Sequence, residues 1–95
     1  MDRIIKIIGG ALIEKVEPRG RAEEDWSRRS RFVGFAGYLV IKASADGMCY
    51  AVIDDGRRCI STSCGELAYT GSGATFTTGN SVYTFRLAAA AQRSA

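Results

Sequence analysis

From Tyr38 onward the chain is cut into short apolar runs by turn signals about every 8 to 12 residues, a spacing that suits strands and is too tight for packed helices. YLVIKAS is followed by Ala45-Asp46-Gly47, MCYAVI by Asp54-Asp55-Gly56, and then come RRCISTS, ELAYT, ATFTT and SVYTFRL. Gly71-Ser72-Gly73 and Gly79-Asn80 separate the last three. Residues of these types tolerate the positive φ of tight turns, so successive runs fold back on one another. In the final run Tyr83, Phe85 and Leu87 share one face, and Val82, Thr84 and Arg86 the other. A slip of one residue would put three large apolar groups in water, so this alternation sets the register. The fold class expected is all-β or β-dominated α+β: an antiparallel meander of about six to seven short strands curled into a small barrel or roll. Gly34 and Gly37 fit the sharp bends and bulges such a roll needs.

The first segment, RIIKIIGGALIEKVE, has two readings. Ile4, Ile5, Ile7 and Ile8 fit helical spacing, whereas their β-branching and the Gly9-Gly10 pair favour a hairpin with strands at Arg3–Ile8 and Ala11–Glu17, ended by Pro18. Arg19–Arg31 then reads RGRAEEDWSRRSR, a surface composition. Glu24 and Arg28, and Asp25 and Arg29, stand four apart with the acid first, which supports one short helix after the N-terminal hairpin, anchored by Trp26. Residues 1–88 are read as a single β-rich domain, and 89–95, without a large side chain to dock, as a flexible tail.

The chain contains no histidine. Ser-His-Asp and Cys-His mechanisms and imidazole metal sites are thereby excluded. Asp54 and Asp55 with Glu66 are the nearest thing to an acid–base set, but neighbouring strand-end side chains diverge, and Asp-Asp-Gly is the composition of a solvated turn. Cys49, Cys59 and Cys64 lack both Cys-x-x-Cys spacing and a histidine to complete a zinc site, so they are read as small apolar residues. Arg57 and Arg58 would favour a reactive Cys59 only if it is exposed. No phosphate-binding glycine loop occurs. No catalytic residue, metal or cofactor is therefore expected, and the chain is read as a non-enzyme.

Three thiols that cannot all pair, and no signal peptide, point to the cytoplasm; apolar stretches such as GYLVI are far too short to span a membrane. Contact remains as the mode of action. A protein-interaction module is expected to use Trp26, Arg28, Arg29 and Arg31, since tryptophan and arginine most often anchor interfaces; the plainer reading is that Trp26 caps the core and the arginines are solvated. Single-stranded nucleic acid is the alternative partner, stacked on aromatics and tracked by cations: Tyr38, Lys42, Tyr50, Arg57, Arg58 and Arg86, with Tyr69 and Phe76. A net charge of +3 is small for that role. A ligand-binding or enzymatic barrel ranks third, because so small a core leaves little room for a cavity. Both faces of MCYAVI are apolar, which leaves room for a homo-oligomer.

The nine residues TTGNSVYTF resemble the last strand of short proteins carried by phages and other bacterial mobile elements. The resemblance implies a compact accessory protein acting by binding. It transfers no functional residue.

Overall fold

The structure, a computed structural model, describes residues 2–19 and 32–88. They form one sheet of seven antiparallel strands: β1 (Arg3–Pro18), β2 (Ala36–Ala43), β3 (Cys49–Asp54), β4 (Cys59–Ser61), β5 (Gly65–Tyr69), β6 (Gly73–Thr78) and β7 (Ser81–Leu87). Every run expected between Tyr38 and Leu87 is a strand. The order across the sheet is β4-β3-β2-β1-β7-β6-β5, so the last strand returns to pair with the first. The short helix expected within Arg19–Arg31 falls on residues 20–31, outside the described ones, as does the tail at 89–95; among the described residues there is no α-helix.

The N-terminal segment is neither a hairpin nor a helix. It is one strand of 16 residues. Arg3–Leu12 pairs with β2 and Ala11–Pro18 with β7, on opposite edges of β1. Gly9-Gly10 is the bend between the two halves rather than a turn. Gly9 and Gly10 stay within the ladder to β2, opposite Leu39 and Tyr38, with Gly9 at a positive φ of 110°. The isoleucines on either side keep the chain extended. Extra residues at Ile5, Ile8 and Glu14 shift the register and sharpen the curvature.

The sheet curls but does not close into a barrel. Its edges, β4 and β5, are joined only by Thr62, Ser63 and Cys64. The four Cα steps from Ser61 to Gly65 span at most about 15 Å, whereas six inter-strand spacings laid flat would span about 29 Å. The edges are therefore drawn together. They are not paired, and the reason lies in an odd strand number: alternating directions across seven strands leave β4 and β5 parallel. Parallel neighbours need a crossover of a dozen or more residues, far more than this link supplies. Thr62 ends the ladder. Its N–H donates to the Ala51 carbonyl at 2.9 Å, and its hydroxyl accepts the Ala51 N–H at 3.0 Å and donates to the Ser63 carbonyl at 2.8 Å.

The concave side is filled. Ile13, Leu39, Ile53, Phe76 and Phe85 are fully buried, one each from β1, β2, β3, β6 and β7, and Ile8 is buried in the same cluster, so both halves of β1 contribute to a single core. Tyr83, Phe85 and Leu87 point inward, as their alternation requires, with the Tyr83 and Phe85 rings stacked at 6.5 Å.

Two substitutions test this architecture by urea unfolding. Gly9→Val forces a β-branched residue into positive φ and is expected to cost about 1–3 kcal/mol, while Gly10→Ala, whose new Cβ would sit 3.4 Å from the Ala88 Cβ, should cost less than about 1 kcal/mol. Equal and large losses at both would restore the hairpin reading. Thr62→Val strands the buried Ala51 N–H and should cost about 1–3 kcal/mol, with Thr62→Ser recovering most of it.

Candidate functional site: the outer face of the first three strands

On β2, Leu39, Ile41 and Ala43 point into the core, which turns Tyr38, Val40 and Lys42 outward. Directly opposite these three stand Asp54, Val52 and Tyr50 on β3, and Gly10, Ile7 and Ile4 on β1. Residues facing each other across a ladder share a side of the sheet. The bulge at Ile5 thus brings Ile4 and Ile7, three apart in sequence, onto one face. The central row is Ile7, which is exposed, Val40, which is half-buried, and Val52, which is buried. Ile4, Ile7 and Tyr38 expose 54%, 57% and 54% of their surface, more than any single scattered apolar residue needs explained.

Ile4, Tyr38, Val40, Lys42, Val52 and Asp54 line a hollow of about 460 Å3 on this face. Lys42 stands at one end and Asp54 at the other. At the Lys42 end the Tyr50 hydroxyl donates to the Asp2 carboxylate, and that bond is the main reason its ionisation is pushed above the usual 10.0, helped by desolvation and the Asp2 charge. The outer face of the other half differs in kind. There Leu12, Lys15 and Glu17 of β1 stand beside Val82, Thr84 and Arg86 of β7, followed by Thr75 and Thr77 of β6 and Glu66 and Ala68 of β5. One outer face is apolar at its centre; the other is threonine and charge.

The residues expected from sequence are distributed unevenly over this frame. Trp26, Arg28, Arg29 and Arg31 lie outside the described residues. Tyr38, Lys42 and Tyr50 come together on the apolar face. Arg57 and Arg58 sit in the turn after β3, with the Arg58 guanidinium 5.2 Å over the Phe35 ring. Arg86 belongs to the other half and pairs with Glu14 at 2.8 Å. Tyr69 lies beneath the Lys6 ammonium at 4.5 Å. Phe76 is completely buried, so it stacks no base.

Asp54, Asp55 and Glu66 do not form an acid–base set. Asp54 accepts the Gly56 amide at 2.7 Å, and Asp55 accepts the amides of Arg57 and Arg58 at 2.8 and 2.9 Å, so both carboxylates fold their own turn. Those two amides, Arg58 first, hold the Asp55 carboxyl below the usual 3.8. Glu66 stands opposite Thr77 in the other half of the sheet. The Asp46 carboxyl is likewise lowered by the Ser44 hydroxyl and the Met48 amide, inside the turn after β2. The cysteines are free thiols that do not converge: Cys49 packs against the core, and Cys59 and Cys64 are exposed. Among the described residues no three cysteines or carboxylates are placed to hold a metal ion, and no helix is long and apolar enough to cross a membrane.

A wider crease of about 590 Å3 runs where β1 changes partners, with Gly10, Ala11, Ala36, Gly37 and Ala88 along it and Asp54, Asp55 and Arg86 at its rim. Its charged groups are already engaged by the turn amides and by Glu14. Gly37 leaves no room there, since a Cβ would lie 2.6 Å from the Asp54 carbonyl oxygen. The crease is where backbones meet closely, and it offers a ligand little to hold.

No family model, curated protein or solved structure matches the chain. The likeness to mobile-element proteins rests on its nine residues alone. Sequence reasoning did not assign Ile4, Ile7, Val40, Val52 or Asp54 to a binding face; the doubly apolar MCYAVI was the available signal for it, and the bulges hid the contribution of β1.

The turn at Asp55 gives a pH test. A carboxyl with a lowered folded-state pKa contributes its stability above the unfolded value near 3.8 and loses it as pH falls through the folded value. Asp55→Asn should therefore flatten the acid limb of the stability profile below about pH 4. An unchanged limb would remove the amide contacts from the account.

Proposed function

We propose that this domain is a non-catalytic interaction module that binds another polypeptide through the outer face of β1, β2 and β3. The observation that carries the reading is the contrast between the two outer faces, because soluble domains seldom leave clustered large apolar side chains bare on one side only. The hollow is apolar between its charged ends and has room for a large apolar side chain. Lys42 and Asp54 at its two ends favour a segment with an acidic residue on one side of that chain and a basic residue on the other. The tyrosines suit the rim, where an apolar ring and a polar tip both find partners.

Single-stranded nucleic acid is the weaker reading. Tyr38, Lys42 and Tyr50 share the face, but Asp2 and Asp54 border it, while Arg58 and Arg86 are engaged elsewhere. A phosphate backbone would meet acids as often as free cations. An accessory role in a bacterial or phage setting, and a cytoplasmic location, follow from the sequence reading and add nothing to the choice of partner.

Selection of a random peptide library on the immobilised protein tests the proposal. Enriched peptides should carry a large apolar residue flanked by opposite charges, and Tyr38→Glu with Val40→Thr should lose them at least tenfold, about 1.4 kcal/mol, while keeping its melt. Enrichment without that pattern, or binding that survives the double substitution, contradicts the assignment.

A further inference from the structure

We infer that the polypeptide taken up by the outer face of β1, β2 and β3 is the Glu24–Arg28 stretch of a second copy of this chain, with Trp26 in the hollow, Glu24 at Lys42 and Arg28 at Asp54. The inference rests on the peptide-binding reading of that face and names its partner. Its first support is chemical. The hollow suits a large apolar side chain with an acid on one side and a base on the other. The chain holds a single tryptophan, Trp26; Glu23, Glu24 and Asp25 precede it, and Arg28, Arg29 and Arg31 follow. Between Arg19 and Arg31 it is the one large apolar side chain.

Spacing is the second support. Lys42 stands opposite Tyr50, and Asp54 lies four residues beyond Tyr50 on β3, about 13 Å along the strand. In an extended segment, residues i, i+2 and i+4 project to one side, so Glu24, Trp26 and Arg28 present acid, indole and guanidinium over the same length of about 13 Å. Wound as a helix, the same sequence turns Trp26 away from the other two. The hollow offers the indole a floor, since Val52 is buried and Val40 half-buried while Ile4 and Tyr38 stand exposed beside them. Both charges at its ends can take a partner. Among the described residues no carboxylate pairs with Lys42, and Asp54 uses one oxygen to accept the Gly56 amide.

The tether of the stretch favours a second copy as its donor. Arg19 donates its N–H to the Asn80 carbonyl at 2.8 Å and its guanidinium to the Thr78 carbonyl at 2.6 Å, next to the end of β1 where Pro18 faces Ser81. Lys42 faces Ile4, towards the opposite end of β1. Glu24 is five Cα steps from Arg19, at most about 18 Å of chain, so the Lys42 of its own chain is the harder one to reach. A neighbouring copy is free of that constraint. Each copy gives one stretch and receives one, so the pair closes on itself.

Exchange of charge between two variants tests the inference. In analytical ultracentrifugation the wild-type chain should rise with concentration from 10.2 kDa to twice that mass, and the emission of Trp26 should move to shorter wavelength over the same range. Glu24→Lys and Lys42→Glu, each alone, should weaken the pair at least about tenfold while keeping the melt, because each sets like charges together. An equimolar mixture of the two should pair again, since each stretch then meets the opposite charge on the other chain. A single-chain mass at the highest soluble concentration overturns the inference, even with Trp26 shielded, for that result places the stretch on its own chain. So does a mixture that stays monomeric, or a single variant that pairs as tightly as the wild type. The functional reading is tested apart from this on the Trp26→Ala chain, which should be monomeric with its hollow open. If that chain captures library peptides of the expected pattern but not a synthetic peptide of residues 20–31, the inference falls and the reading stands; if it captures neither, both fall.

Discussion

A straight strand of 16 residues would be about 50 Å long, and the longest principal extent of this molecule is 36 Å. The first strand therefore bends, and by bending it changes neighbours: β2 holds its first half and β7 its second. The rest of the structure depends on this exchange. It lets two groups of strands, contiguous in sequence, share one member and fold over a common core. Gly9 supplies the positive φ of the bend, and the bulges at Ile5, Ile8 and Glu14 spread the remaining curvature.

The consequence for function is that little chemistry is left inside. Aromatic and branched side chains fill the concave side, and among the described residues no buried polar side-chain atom lacks a hydrogen-bond partner. What distinguishes this molecule lies on its convex surfaces. The half built on β2 and β3 carries valines and isoleucines outward as well as inward, while the half built on β6 and β7 turns threonines out. A sheet with both faces apolar is ordinarily covered on both. Contact with another polypeptide chain is the use this pattern supports best.

Much of the strand inventory was legible from the sequence, for a local reason. Asp46-Gly47 and Asp55-Gly56 place glycine at φ of 86° and 93°, and the alternation of Tyr83, Phe85 and Leu87 needs only its own strand to be read. Pairing between distant segments was not legible. Gly9-Gly10 has the composition of a hairpin turn, and only the arrival of β7 beside Ile13 and Val16 makes a continuous strand the better use of it. The bulges defeated alternation in the same way: Ile4 and Ile7 are on opposite sides of an ideal strand and on one side of this one. Part of the candidate face could be read, since MCYAVI is apolar in both phases, but its partner row on β1 could not. The expected closure into a barrel failed on parity, because strand count and connection length across β4 and β5 are global properties that no single run reveals.

The pairing of β1 is open to direct observation by backbone proton contacts in solution NMR. The account predicts contacts from Ile7 to Val40, from Leu12 to both Ala36 and Arg86, and from Val16 to Tyr83. Contacts between Ile8 and Ala11 and between Ile7 and Leu12, folded across Gly9-Gly10, would contradict it.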